Sequence, residues 1–145
     1  LQIVQVFNKA VTSLNLNEID LHPQGTKSGA WQNLKVKGAP PPDRWLHSSV
    51  MNGTGMVIFG GASQVDYFAD VHYLDFETNT WSEIQCQGDV PSARMSHRAA
   101  MTSLGEMWVY GGHGKGFVVF EDLYYLKLET NTWVKVAAKG VSPGP

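Results

Sequence analysis

The sequence is short of cysteine, of charge and of long apolar runs. Its 145 residues include a single cysteine, Cys86, which cannot form an internal disulfide, so the covalent framework typical of small secreted domains is excluded. No apolar run approaches the roughly 18 residues that a membrane span requires. The formal net charge is -2, so no basic field attracts a nucleic acid or an anionic membrane. We therefore expect no nucleic-acid partner, no membrane insertion and a cytoplasmic location.

What the sequence does contain is hydrophobic residues, at 43%, and glycine, at 15 positions. This balance fits a folded, turn-rich protein and excludes a disordered chain, a collagen and a coiled coil. The length suits one domain with a sizeable buried core, and the composition favours an all-β fold.

An internal repeat organises the chain. The pentapeptide Glu-Thr-Asn-Thr-Trp occupies residues 77–81 and recurs at 129–133. Chance explains such a match poorly, and a period near 50 residues indicates a repeat architecture. Other matched pairs are Pro41 and Pro91, Arg44 and Arg94, His47 and His97, Gly60-Gly61 and Gly111-Gly112, and Asp70 and Asp122.

Each repeat unit contains four short segments with the character of strands. The second segment of each unit is a continuous apolar run that ends in the double glycine, which predicts an inner strand buried on both faces. Turn-forming residues separate the first from the second segment and the third from the fourth, so each unit is predicted to be a four-stranded antiparallel meander. The predicted strands are 48–51, 56–59, 71–75 and 81–84 in the first unit, and 98–102, 107–110, 123–127 and 133–136 in the second.

The double glycine, the aspartate before the third strand and the spaced tryptophan resemble the kelch repeat. This resemblance implies a β-propeller, of which the chain would supply about two and a half four-stranded antiparallel blades. We expect residues 1–145 to be part of one larger closed propeller, completed by further chain segments. The predicted units are a degenerate partial blade at 1–34 with an insertion at 17–30, blades at 41–84 and 91–136, and the start of a further blade at 137–145.

Strand order in such a meander brings the longer loops to one face. These are residues 62–69 and 113–121, with the interblade segments 35–47 and 85–97. Loops on a rigid scaffold carry binding residues disproportionately, and aromatic and arginine side chains are typical interface anchors. The candidate partner-binding residues are Arg44, Trp45, Gln64, Asp66, Tyr67, Phe68, Arg94, His113, Lys115 and Phe117.

A structural explanation competes with this one at several positions. In it, Tyr67 and Phe120 cover blade edges, and Arg44 and Arg94 bond to neighbouring backbone carbonyls. Trp31, Trp81 and Trp133 are predicted to pack across blade interfaces, because each stands at the start of an outer strand.

Motifs for catalysis or for metal binding are weak. His22, His47, His72 and His97 recur every 25 residues, but no close pair of ligands accompanies them. Residues 111–116 are glycine-rich around Lys115, yet no Ser or Thr follows that lysine as a phosphate-binding loop requires. We therefore predict no catalytic residue, no metal and no cofactor.

The kelch resemblance implies a protein-protein interaction module or scaffold, which binds a protein or peptide partner through its loop-rich face. Family roles include adaptors and substrate receptors of ubiquitin ligases, although no BTB or F-box segment occurs in this sequence. Some kelch propellers are enzymes, so the alternative is a propeller-type enzyme whose catalytic residues lie partly outside this fragment. Asn52-Gly53-Thr54 fits a glycosylation sequon as well as a hairpin turn, and a glycan there would indicate an extracellular location.

Overall fold

The computed structural model describes residues 35–141 and 144, which form ten strands in two five-stranded sheets. The predicted partial blade at 1–34, with its insertion, Trp31 and His22, lies outside the described residues. The first sheet contains β1 (Lys37–Gly38), β2 (Ser48–Asn52), β3 (Gly55–Phe59), β4 (Val71–Asp75) and β5 (Thr80–Ile84). The second contains β6 (Gln87–Gly88), β7 (Arg98–Met101), β8 (Glu106–His113), β9 (Val119–Lys127) and β10 (Thr132–Lys135).

Four strands of each sheet form the predicted antiparallel meander, with β2 to β5 and β7 to β10 pairing in sequence order. The first hairpin closes around Gly53-Thr54, where Gly53 has a φ of 57°. In the repeated pentapeptide, Asn79 and Asn131 both adopt a left-handed φ of 53°, which asparagine tolerates better than most residues. The repeated sequence thus encodes a repeated turn, and the all-β fold is confirmed.

A fifth strand in each sheet departs from the prediction of four. β1 pairs in parallel with β5, and β6 pairs in parallel with β10, each through two residues. These short strands come from segments 35–47 and 85–97, which the sequence assigned wholly to the loop-rich face. They lie instead against the outer strands, where they satisfy backbone groups that an uncovered sheet edge would leave unpaired.

The two sheets pack against each other through a shared core. β3 and β4 contribute Phe59 and Val71 to it, and the second sheet contributes Val109 and Trp133. The rings of Phe59 and Trp133 lie 4.9 Å apart between centroids, so the predicted packing of Trp133 across the blade interface is confirmed. Trp81 is also buried, in a second cluster on the other side of β3.

The expectation of burial on both faces holds for β3 and fails for β8. All five residues of β3 are buried. In β8, Met107 and Val109 are buried, whereas Trp108 and Tyr110 on the opposite face are only half-buried. Trp108 stacks there on Tyr125 at a centroid distance of 5.0 Å. The face of the second sheet that points away from the first sheet is therefore incompletely covered.

Each double glycine allows another segment of the chain to pass close to it. Gly60-Gly61 follows β3, whereas Gly111-Gly112 lies inside β8, so the prediction that this strand ends at residue 110 is wrong. Gly61 and Gly112 have φ values of 96° and 95°, a region that disfavours residues with a Cβ atom. A Cβ on Gly61 would lie 2.9 Å from the carbonyl oxygen of Trp45, and one on Gly112 would lie 2.6 Å from that of Met95. Glycine is thus required here because the segment leading into β2 or β7 packs directly on it.

Candidate interaction face

The longer loops gather on one face, which we define as residues 43–47, 60–70, 93–97 and 114–118 and call the loop-rich face. Within each blade, a backbone bridge joins the segment before the first strand to the residue that follows the double glycine: Trp45 to Ala62, and Met95 to His113. Between blades, the amide of Ser96 donates to the carbonyl of Leu46 at 2.9 Å. The face is therefore built on strand ends that are fixed within and between the blades.

A buried arginine supports the face in each blade. Arg44 binds both carboxylate oxygens of Asp70, at 2.5 and 2.8 Å, and donates to the carbonyl of Gly60 at 3.0 Å. Its guanidinium also lies 4.1 Å from the centroid of the Phe68 ring. His72 contacts the same carboxylate at 2.9 Å. Burial opposes ionisation of Asp70, but the hydrogen bonds from Arg44 and His72 outweigh it and hold the pKa of Asp70 well below its usual range.

The second blade repeats this arrangement around Arg94. This arginine binds Asp122 at 2.6 and 3.2 Å, donates to the carbonyl of Gly111 at 2.9 Å and lies 4.2 Å from the centroid of the Phe120 ring. Its side chain is fully buried. The alternative explanation in the sequence analysis, that these arginines bond to backbone carbonyls, is the one that the geometry supports. Arg44 and Arg94 offer almost no surface to a partner.

Two histidines, the buried His97 and the half-buried His47, lie where the two blades meet. The Ser48 hydroxyl and Nε2 of His97 are 2.7 Å apart, which joins β2 to the segment before β7. Burial, and then the neighbouring charges of Arg94 and His47, lower the pKa of His97 to about 4. Burial and Arg44 lower the pKa of His47 as well. Both rings are therefore neutral at pH 7 and act as packing groups, with Phe59 in edge contact with His97 at 5.1 Å.

The two loop tips are the most accessible part of the face. Residues 63–66 form the first tip, closed by a 2.8 Å hydrogen bond from the amide of Ser63 to the carbonyl of Asp66. Residues 114–118 form the second tip, closed in the same way from Gly114 to Val118 at 2.8 Å. The second tip contains Phe117, whose side chain is 97% exposed and whose backbone has a left-handed φ of 64°.

The other predicted contact residues divide between these tips and their supports. Gln64, Asp66, His113 and Lys115 are exposed, whereas Tyr67 and Phe68 are half-buried. Trp45 is half-buried and lines a cleft of about 330 Å³ with Asp43, Ser63, Gln64 and Val65. Partner binding by these residues stays a prediction.

Sequence reasoning overlooked Asp43 and Val65, which also lie on this face. The sequence feature that could have identified Asp43 is that it does not recur: the corresponding residue of the second blade is Ala93. Conversely, Arg44 and Asp70 recur as Arg94 and Asp122, and the structure pairs the arginine with the aspartate in both blades. Residues that keep their partner in both blades belong to the framework here.

Residues 35–141 and 144 contain neither a candidate metal site nor a candidate membrane-spanning helix. In this part of the chain, no group of three or more histidine, cysteine, aspartate and glutamate side chains could hold a metal ion. The same residues include no helix long and apolar enough to cross a membrane.

Successive four-stranded meanders, packed face to face and joined at their inner strands, define a β-propeller fragment. Comparison with known proteins agrees. The family model described as the KLHDC2/KLHL20/DRC7 Kelch-repeats domain matches residues 8–145. The chain therefore belongs to the kelch-repeat family, whose members are typically protein-interaction modules.

Similar proteins come from plants and animals. The chain is 39% identical to Acyl-CoA-binding domain-containing protein 4 of Arabidopsis thaliana over 116 residues, 79% of this chain and 17% of that protein. It is 38% identical to Kelch domain-containing protein 3 of Homo sapiens over 138 residues, 87% of this chain and 35% of that protein. It is 29% identical to Kelch domain-containing protein 1 of Mus musculus over 116 residues, 79% of this chain and 29% of that protein. The chain thus spans about a third or less of these relatives.

Proposed function

We propose that the chain is part of a propeller that binds a protein partner through the loop-rich face, as a cytoplasmic scaffold or adaptor that performs no chemistry of its own. The observation that carries this proposal is the tip at 114–118. Phe117 is almost fully exposed, and Val118 and Val119 beside it are exposed as well. An aromatic side chain at the centre of a small apolar surface is the usual anchor of a protein interface.

The framework does not require an aromatic residue at this tip. The equivalent tip of the first blade turns with four residues, 63–66, and none of them is aromatic. Phe117 also occupies a left-handed backbone conformation, which costs a residue with a Cβ atom about 1 to 2 kcal/mol. A strained and exposed apolar residue that nothing in the fold needs is best explained by a contact outside the fold.

The test is affinity capture with the full-length protein, in which Phe117 is changed to Ser. The matched control is Leu104→Ser, which removes an apolar side chain that is 82% exposed in the β7–β8 turn, on the opposite face. We expect Phe117→Ser to reduce capture of specific partners at least tenfold and Leu104→Ser to leave it unchanged. Loss with Leu104→Ser alone would assign binding to the opposite face, and no loss with either variant would refute the role of the tip at 114–118.

The same capture experiment distinguishes a substrate receptor of a ubiquitin ligase from a scaffold or adaptor. As a substrate receptor of a ubiquitin ligase, the full-length protein would capture ligase subunits, and the partner that depends on Phe117 would accumulate in cells when the protein is depleted. As a scaffold or adaptor, it would capture two or more proteins that do not bind each other without it.

A further inference from the structure

The cleft beside the first loop tip combines an aromatic wall with an acidic edge. Its volume is about 330 Å³, and its lining includes the half-buried Trp45 and the exposed Asp43 and Gln64. The Trp45 indole supplies a flat surface for stacking, and the Asp43 carboxylate and the Gln64 amide oxygen supply hydrogen-bond acceptors.

The fold does not require these side chains. Trp45 exchanges two backbone hydrogen bonds with Ala62, both at 2.9 Å. In the second blade, Met95 makes the same pair of bonds with His113, at 2.9 and 2.8 Å. Because the residue matching Asp43 there is Ala93, the second blade forms the same framework with methionine and alanine in place of tryptophan and aspartate.

No cation among the described residues pairs with the carboxylates at the cleft. Asp43 is exposed, and among the described residues its carboxylate has no ion-pair partner. Asp66, which follows the cleft residue Val65, adds a second exposed carboxylate of the same kind. The adjacent cation, Arg44, is buried and already bound to Asp70. The cleft therefore presents negative charge next to an accessible indole.

We propose that this cleft binds an arginine side chain of the protein partner. The guanidinium stacks on the Trp45 indole, pairs with the Asp43 carboxylate and donates to the Gln64 amide oxygen. Guanidinium suits the cleft because it is planar, stacks on aromatic rings and carries several donors in one plane. The inference rests on the proposed function and specifies the chemistry of the partner.

The test uses the full-length protein labelled with 5-fluorotryptophan and observed by fluorine NMR. The Trp45 resonance is the one that Trp45→Met removes. This variant introduces the residue that the second blade carries at the same position. The probe is N-acetyl-arginine amide, and its uncharged analogue N-acetyl-citrulline amide is the control ligand. Saturable movement of the Trp45 resonance with the arginine probe only is the expected result, while the buried Trp81 and Trp133 resonances stay in place.

The contribution of charge is tested with Asp43→Ala, again the residue of the second blade. This change should weaken binding of the arginine probe about two- to fivefold, the range for an exposed ion pair. Glu129→Ala, which removes an exposed carboxylate in the β9–β10 turn, should leave it unchanged. Equal movement with arginine and citrulline, or no movement with either, would overturn the proposal.

Stronger binding of tetramethylammonium than of the arginine probe would also overturn it, by assigning the cleft to a quaternary ammonium group.

Partner capture separates failure of this inference from failure of the proposed function. If capture depends on Phe117 while arginine does not bind, only the cleft assignment is wrong. If capture is independent of Phe117 as well, the proposed function is wrong.

Discussion

Replacement of Arg94 by methionine should destabilise the protein severely, because it removes the cation from a buried ion pair. In the native structure the guanidinium binds Asp122 and the carbonyls of Gly111 and Ser92, at distances of 2.6 to 3.2 Å. Methionine can follow the aliphatic part of the arginine side chain, but it ends short of the guanidinium position and carries no N–H donor, so it leaves the Asp122 carboxylate without its partner. That side chain is only 20% exposed, so water can solvate it only in part.

The expected loss of unfolding free energy is about 3 kcal/mol, the lower end of the range for stranding one member of a buried ion pair. Urea denaturation of the full-length protein, followed by tryptophan fluorescence, would measure it. Arg98→Met is the control, since Arg98 is exposed and its loss should change stability by about 0.5 kcal/mol or less. The double variant Arg94→Met with Asp122→Asn should recover part of the lost unfolding free energy, because it leaves no unpaired carboxylate in this partly buried position.

Two results would refute this reasoning. A loss below about 1 kcal/mol for Arg94→Met would mean that the ion pair is not part of the framework. A double variant no more stable than Arg94→Met would mean that the stranded carboxylate is not the cause of the loss.

Two further predictions concern the contact between the blades. Trp133→Ala should lower the free energy of unfolding by about 3 to 5 kcal/mol in urea denaturation, because the indole is buried against Phe59. The control Trp45→Met should lower it by less than about 1 kcal/mol. Equal losses would contradict the assignment of Trp133 to the core and of Trp45 to the surface. The pKa of His97 is about 4 in the folded protein, against an ordinary value of 6.5. As the pH falls, the unfolded chain therefore binds a proton at this residue before the folded protein does. The free energy of unfolding should decrease by on the order of 3 kcal/mol as the pH drops from 6.5 towards 4. Urea midpoints measured across that range should vary less in His97→Gln, and parallel changes in the variant and the wild type would show that His97 is not responsible.

Most of the fold could be predicted because it is encoded in repeated local patterns. Apolar runs that end in a double glycine mark β3 and β8, and the repeated pentapeptide marks the turns before β5 and β10. The parallel strands β1 and β6 could not be predicted in this way. Each pairs through only two residues, and two residues are too few to show a periodic pattern.

The candidate site was predicted less completely, because burial depends on distant residues. The sequence predicts Arg44 as an exposed contact residue, whereas in the structure it is buried against Asp70, which lies 26 residues further along the chain. The location of the longer loops followed from strand order, but the cleft beside Trp45 depends on how the segment before β2 lies against the β3–β4 connection. Trp45 and Asp43 do not recur in the second unit, whereas Arg44 recurs as Arg94, so the repeat itself distinguishes the residues of the cleft from those of the framework.

The two loop tips differ in length although their bases are alike. The first tip spans four residues between the paired Ala62 and Tyr67, and the second spans five between the paired His113 and Val119. One additional residue is thus accommodated without a change in the pairing beneath it. Insertions and substitutions at 63–66 or 114–118 can therefore change the surface that a blade presents without changing the strands that fold it, so these loops could be exchanged between blades of this protein or grafted from one propeller to another.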